Sequence, residues 1–258
     1  MTLQDRVVLV TGAGGGLGVG IAQALLDAGA CVAISDLRQD SIARTMSGLR
    51  GDPARVCAVV ADVTNEVSVR HFIEAAVTQF GRLDALVNNA GHIAMGPALN
   101  ARLPEFEGQF AVNVSGLYLC SQAAAQQMIA QGNGGSVVNI ASNAGKVGFP
   151  NMAAYNASKA AVISLTRTLA AEWAAHRINV NAVCPGSVLT PMLRDVAGFL
   201  SAHQGGPADQ WLASMVPAQL QRHIQPVEVG RVVAFLLSDA AQIIRGQSIN
   251  VDGGETPY

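Results

Sequence analysis

A phenol and an ammonium lie four residues apart in the stretch "YNASK", as Tyr155 and Lys159. On a helix, positions i and i+4 share one face. A free tyrosine has a pKa of about 10 and is a poor base near neutrality. A positive charge within ~4–6 Å favours the phenolate and lowers that pKa. A base tuned toward working pH gains typically ~10²–10⁴-fold in rate. The spacing thus suits a lysine that makes a tyrosine reactive. It suits an ordinary surface pair equally well, and these two residues alone leave the choice open.

A second chemical feature is the turn "TGAGGGLG" at 11–18, between a strand-like run and a helical one. Glycines there let the backbone approach a ligand closely, and the free N–H groups of a helix start favour a pyrophosphate. The common G-x-G-x-x-G spacing is absent; Gly12, Gly16 and Gly18 fit G-x-x-x-G-x-G. No Gly-Lys-Ser/Thr follows, which excludes the Walker pattern. Asp36 ends the next strand-like run, 18 residues after Gly18. That matches an acid ~20 residues on that accepts hydrogen bonds from adenosine ribose hydroxyls. Its charge would repel a 2′-phosphate, so NAD is expected over NADP. Arg38 is the counter-signal and reads as a solvated charge at a helix start.

Other reactive side chains weigh less. His92 and Lys146 each adjoin a motif, but a loop histidine without a paired carboxylate is usually solvated. Asn143, Asn151, Met152 and His203 are candidates for a substrate pocket. Glu172 and Trp173 fall at a helix end and read as cap or packing residues. No His/Cys/Asp cluster has metal-ligand spacing, so no catalytic metal is expected. Cys31, Cys57, Cys120 and Cys184 stand far apart in apolar stretches, and read as unpaired core residues of a reducing compartment.

The elements that must position these groups alternate. Strand-like runs at 6–10, 31–36, 56–63, 83–91, 135–142, 177–186 and 248–254 are mostly separated by helical patterns. The helices are expected at 17–29, 40–49, 65–80, 103–131, 152–175 and 226–237. This order predicts an α/β fold, a Rossmann-type doubly wound sheet of about seven parallel strands with helices on both faces. No repeat or linker divides the 258 residues, so a single dinucleotide-binding catalytic domain over 1–258 is expected. The stretch 187–225 breaks the rhythm with Pro191, Gly205, Gly206, Pro207 and Pro217 and has weak helical periodicity. It reads as a long loop acting as a substrate lid.

Bulk composition narrows the function class. Half the residues are apolar, and the net charge is −2. No basic patch suits nucleic acid, and no uncharged apolar run reaches the ~18–20 residues of a membrane span. The N-terminus lacks the basic flank, apolar core and cleavage site of a signal peptide. No nucleic-acid or membrane partner is expected, and the location expected is cytoplasmic.

Taken in order, "TGAGGGLG" at 11–18, "DV" at 62–63, "NNAG" at 88–91 and "NVSG" at 113–116 resemble the classical short-chain dehydrogenases/reductases. "NIAS" at 139–142, "YNASK" at 155–159 and "PGSVLTPM" at 185–192 continue the resemblance over essentially the whole chain. The resemblance implies a catalytic tetrad of Asn113, Ser142, Tyr155 and Lys159. In it Ser142 holds the reacting oxygen, Tyr155 is the acid/base and Lys159 is its partner. It implies cofactor contacts from Gly12, Gly15, Gly16, Leu17 and Gly18, and from Asp36 and Leu37. It places Asp62 and Val63 against adenine, and Asn89, Ala90 and Gly91 along the cofactor. Pro185 and Gly186 join Val188 and Thr190, which hold the nicotinamide amide; Tyr155 and Lys159 also face the cofactor. Lys159 is expected to hydrogen-bond the nicotinamide ribose.

Family members are commonly tetramers paired through the two long helices here at 103–131 and 152–175. The expectation is therefore a homotetrameric NAD-dependent oxidoreductase of a small-molecule alcohol or its ketone. The stretch "SNAGKVGFPNMAAYNASKAAVISLTRTLA" looks like bacterial polyol, sugar-alcohol and diol dehydrogenases. The near rival is a 3-oxoacyl-carrier-protein reductase; such enzymes usually prefer NADP and need basic surface, against which Asp36 and the net charge argue. A rival of another class is a non-catalytic dinucleotide-binding regulator.

Overall fold

A computed structural model describes residues 2–257. Strands β1 (Val7–Val10), β2 (Cys31–Asp36), β3 (Val56–Val60) and β4 (Ala85–Asn88) are followed by β5 (Gly135–Ile140), β6 (Ile178–Pro185) and β7 (Ser248–Val251). They form one sheet in the order β3-β2-β1-β4-β5-β6-β7, with every pairing parallel. The expected Rossmann-type architecture is thus what the chain adopts.

The helices are α1 (Gly16–Asp27), α2 (Gln39–Gly48), α3 (Glu66–Phe80), α4 (Leu103–Phe110) and α5 (Leu117–Gln131). They continue with α6 (Ala153–Glu172), α7 (Pro191–Gln204), α8 (Ala208–Ser214) and α9 (Pro226–Leu237). No helix among the described residues is long and apolar enough to cross a membrane.

The valine-rich strands are buried because both faces of the sheet are covered. Side chains alternate across a strand. Val8 and Val10 therefore join the core under α1 and α9, while Leu9 joins the core under α3 and α5. Cys57, Cys120 and Cys184 are buried and Cys31 half-buried, and all four are unpaired.

Two expectations are corrected. The helix expected as continuous over 103–131 is broken by a π-helical turn at Ala111–Gly116, a wide turn that holds Asn113. The stretch 187–225, expected as a long loop, is largely helical. Thr190 caps α7 by accepting from Leu193 N at 3.3 Å, and Pro191 occupies the first turn, where its missing N–H costs nothing. Gly205 and Gly206, at φ +79° and +80°, end the helix. Both ends of the excursion are stitched together: Val188 bridges Ile224, and Leu189 N donates to Ile224 O at 2.9 Å.

Candidate active site

The strand order reverses direction between β1 and β4, and a cleft opens there at the carboxyl ends of the strands. Its cavity is about 1200 Å³. The loop after each strand supplies one part of its wall.

The loop after β1 is the glycine turn. Gly12, Gly15, Gly16 and Leu17 line the cleft. Gly12 has φ +63°, and a Cβ there would fall 2.6 Å from Ala90 Cα, so only glycine fits. Gly18 is the exception among the expected contacts. It is buried under the turn rather than in the wall, where a Cβ would meet Gly12 O at 2.6 Å. Its size lets α1 seat closely on the turn. The "NNAG" loop after β4 buttresses the turn from the other side. Asn89 Nδ2 donates to Thr11 O at 3.0 Å and Gly12 O at 2.9 Å, and Asn89 N and Ala90 N both donate to Thr11 Oγ1. No side chain caps α1 and no acid occupies its first turn. An uncapped helix start in a glycine-lined wall fits a pyrophosphate.

Asp36 stands at the end of β2. Its Oδ2 accepts from Gly14 N at 3.0 Å and its Oδ1 from Arg38 N at 3.2 Å, which fixes the carboxylate on the cleft wall. Leu37, Asp62 and Val63 line the same end. Arg38 is exposed and precedes α2, as expected of a helix-start charge. It also lines the cleft, and so does Arg44, which sequence reading passed over. Both guanidinium groups donate to Ser41 Oγ, at 3.0–3.1 Å. Both arginines also pair with Asp40, at 3.6 and 2.9 Å, so this end of the cleft carries charge of both signs.

At the opposite end, β5 delivers Ser142 and the first turns of α6 deliver Tyr155 and Lys159, all lining the cleft. Lys159 Nζ lies 5.6 Å from the centre of the Tyr155 ring and donates to Ile140 O at 2.8 Å. Burial pushes the Tyr155 phenol above its usual range, and a hydrogen bond with Ser142 pulls it partly back. Burial pushes the Lys159 ammonium down to about 8, against a smaller upward pull from Cys184. The expected lowering of the tyrosine by the lysine is thus not the net effect in the protein alone. Loss of water around the phenolate outweighs the hydrogen bond with Ser142.

Asn113 sits one layer behind the cleft wall and is 1% exposed. Its Oδ1 accepts from His92 N at 2.7 Å, and its Nδ2 donates to His92 O and Ser158 Oγ, each at 2.9 Å. It thereby clamps the loop after β4 to α6. Gly91, Pro185, Gly186, Val188 and Thr190 also line the cleft. Among the other candidates, His92, Asn143, Asn151 and Met152 line it too. Lys146 instead donates to Ser248 O, and His203 stacks on Phe199; neither lines the cleft. Glu172 ends α6, and Trp173 packs against the core beneath it.

Sequence reading missed Glu255 in the cleft wall and a buried relay under the sheet. In that relay Asn88 Nδ2 donates to Asn139 Oδ1 and Asn139 Nδ2 to Thr166 Oγ1. The signal for the relay was available, because asparagine is depleted in strands and stands in both β4 and β5.

The chain is similar to known proteins over nearly its whole length. A family model described as enoyl-(acyl carrier protein) reductase matches residues 12–256. The D-threitol dehydrogenase of Mycolicibacterium smegmatis is 36% identical, over 98% of this chain and 94% of that protein. A variant of the actinorhodin polyketide ketoreductase, crystallised with NADPH, is 32% identical with a TM-score of 0.93 over 100% of both chains. The 3-ketoacyl-(acyl-carrier-protein) reductase of Brucella melitensis, complexed with NADH, is 34% identical with a TM-score of 0.86, over 99% of this chain and 100% of that one.

Proposed function

The chain belongs to the classical short-chain dehydrogenase/reductase family, and on that premise we propose that it is an NAD-dependent oxidoreductase interconverting a secondary alcohol and its ketone, with a polyol, sugar alcohol or diol favoured. One observation carries the reading. Ser142, Tyr155 and Lys159 meet at one end of a cleft whose other end presents an uncapped helix start and Asp36.

The dinucleotide, when bound, supplies the hydride acceptor for oxidation and the hydride donor for reduction. The N–H groups at the start of α1 hold its phosphates, and Asp36 accepts from the adenosine ribose. Asp62 and Val63 flank the adenine, and Val188 and Thr190 hold the nicotinamide amide. Ser142 Oγ hydrogen-bonds the reacting oxygen. In oxidation the Tyr155 phenolate takes the hydroxyl proton. In reduction the neutral phenol, the form that burial favours, returns a proton to the developing alkoxide. The Lys159 ammonium, 5.6 Å from the centre of the ring, would stabilise the phenolate as it forms. Asn113 acts as a positioning residue by clamping His92. The helices α7 and α8 form the substrate lid, with Met192, Leu193 and Val196 facing the cleft.

A second reading, an NADP-using 3-oxoacyl-carrier-protein reductase, is favoured by Arg38 and Arg44 beside Asp36 and by the likeness to a ketoreductase crystallised with NADPH. A non-catalytic regulator is disfavoured because the proton-transfer groups are present and together in the cleft.

The chain is further proposed to form a homotetramer through α4, α5 and α6. Leu103, Phe106 and Tyr118 are exposed on α4 and α5. The exposed residues in the first three turns of α6 are Ala153, Ala157, Ala160 and Ser164, small enough for another helix to approach closely; Arg167, Thr168, Ala171 and Glu172 are exposed beyond them.

The test is absorbance of the reduced nicotinamide near 340 nm. Polyols, diols and hydroxyacids are offered with both oxidised nucleotides, and ketones and oxoacyl thioesters with both reduced ones. The expected result is oxidation of a diol or polyol with NAD. Turnover confined to oxoacyl thioesters with NADPH would replace this reading with the second.

A further inference from the structure

The substrate end of the cleft carries a carboxylate that the tyrosine–lysine chemistry does not use. Glu255 lies just past β7 and lines the cavity. Its Oε1 accepts from Ser187 Oγ at 2.6 Å, and its Oε2 accepts from Ser187 N at 3.1 Å and Asn143 Nδ2 at 3.0 Å. A Cβ at Gly186 would fall 2.0 Å from that Oε2, so the carboxylate rests directly on the loop after β6.

Three features make this group more than a structural tie. A carboxylate offers about four acceptor sites, and three are taken. Its donors are all neutral, and among the described residues no lysine or arginine forms an ion pair with it. Burial, helped by the charge of nearby Asp252, holds its carboxyl above the ordinary range against the pull of Ser187 and Asn143. It is also close to the chemistry. Ser142 Oγ donates to Asn143 Oδ1 at 3.3 Å, and the other end of that amide donates to Glu255. Elsewhere the cavity wall is apolar at Met192, Leu193, Val196 and Leu200, and its other polar side chains include His92, Asn151, Gln204 and Ser214, none of them a carboxylate.

We propose that Glu255 is a specificity-determining residue, whose carboxylate accepts a hydrogen bond from a second donor group of the substrate near the reacting hydroxyl. The inference rests on the alcohol–ketone reading above and sharpens it. The favoured substrates are alcohols with a neighbouring hydroxyl or ammonium. Alcohols with a neighbouring carboxylate are rejected by like charge.

Four four-carbon probes separate these cases: 2,3-butanediol, 3-amino-2-butanol, 2-butanol and 3-hydroxybutanoate, each with NAD. In the parent protein, one donor-bearing probe should exceed 2-butanol in kcat/KM by about tenfold or more, with 3-hydroxybutanoate slowest. The leading probe identifies the donor as hydroxyl or ammonium. In Glu255→Gln that lead should shrink by about tenfold through KM, 2-butanol should change by less than about threefold, and 3-hydroxybutanoate should improve. Equal turnover of 2-butanol and both donor-bearing probes by the parent overturns the inference without any variant. A uniform fall across all four probes in Glu255→Gln also overturns it, because that marks a structural role. Failure of the alcohol–ketone reading looks different: no probe is oxidised at all, and the inference falls with it.

Discussion

Asp36 and Arg38 pull the adenosine site in opposite directions. The carboxylate suits ribose hydroxyls, while Arg38 and Arg44 provide positive charge for a 2′-phosphate. Asp36 is fixed by two backbone N–H groups and keeps lone pairs for the ribose. In Asp36→Ala, affinity for NAD should fall by about tenfold or more, since hydrogen bonds to a charged group contribute about 1.5–3 kcal/mol. Affinity for NADP should hold or rise, because the guanidiniums remain. Titration of both nucleotides by quenching of protein fluorescence checks this. A parent protein that already prefers NADP would contradict the account of Asp36. Tyr155 and Lys159 stood out in the sequence by their spacing, while Ser142 and the tetrad as a whole came only from the family resemblance. Glu255 was not legible. The second acid in "VDGGETPY" says nothing until β7 pairs with β6 and brings it against Ser187.

At the scale of elements, the strands and most helices were legible from periodicity. Boundaries moved by a few residues, as with the third strand, expected over 56–63 and found at Val56–Val60. The π-turn around Asn113 was hidden, because a one-turn widening leaves helical spacing almost unchanged. Helix α7 was signalled only by its ends, Thr-Pro at the start and Gly-Gly at the finish. The start of α9 offers a test of capping. Glu228 accepts from Gln225 N at 2.7 Å and pairs with Arg222 at 2.6 Å. The Arg222 hydrogen bond, then the Gln225 N–H, hold its carboxyl down at about 2, from an ordinary 4.5. The folded pKa is the lower one. The stabilisation is therefore complete above about pH 4.5 and is lost as pH falls through about 2. The pair is partly exposed, so Glu228→Gln should cost only about 0.5–1 kcal/mol at neutral pH. Urea unfolding from neutrality down to acid pH should show the difference narrowing. A gap that persists undiminished at the acid end would contradict the assignment.

At the scale of the whole molecule, the sheet order creates the site. The reversal between β1 and β4 opens the cleft, and the loops after β1, β4, β5 and β6 bring together residues far apart in sequence. The alternation of strand and helix made this much legible; the way α7 and α8 cover the cleft was not, because it depends on tertiary packing. Assembly is a separate question. The proposed homotetramer, taken from the family resemblance, predicts a mass near 106 kDa in solution by light scattering, four times the 26.6 kDa chain. Phe106→Glu should shift that mass downward, and a parent protein at the mass of one chain would contradict the assembly.

The central claim is that Tyr155 moves the proton while the rest of the cleft holds the dinucleotide. The most direct measurement compares Tyr155→Phe with the parent for oxidation of the best alcohol, alongside nucleotide affinity. The account predicts turnover lower by at least about 10²-fold, with nucleotide affinity nearly unchanged. Turnover retained in Tyr155→Phe at the parental level would contradict it.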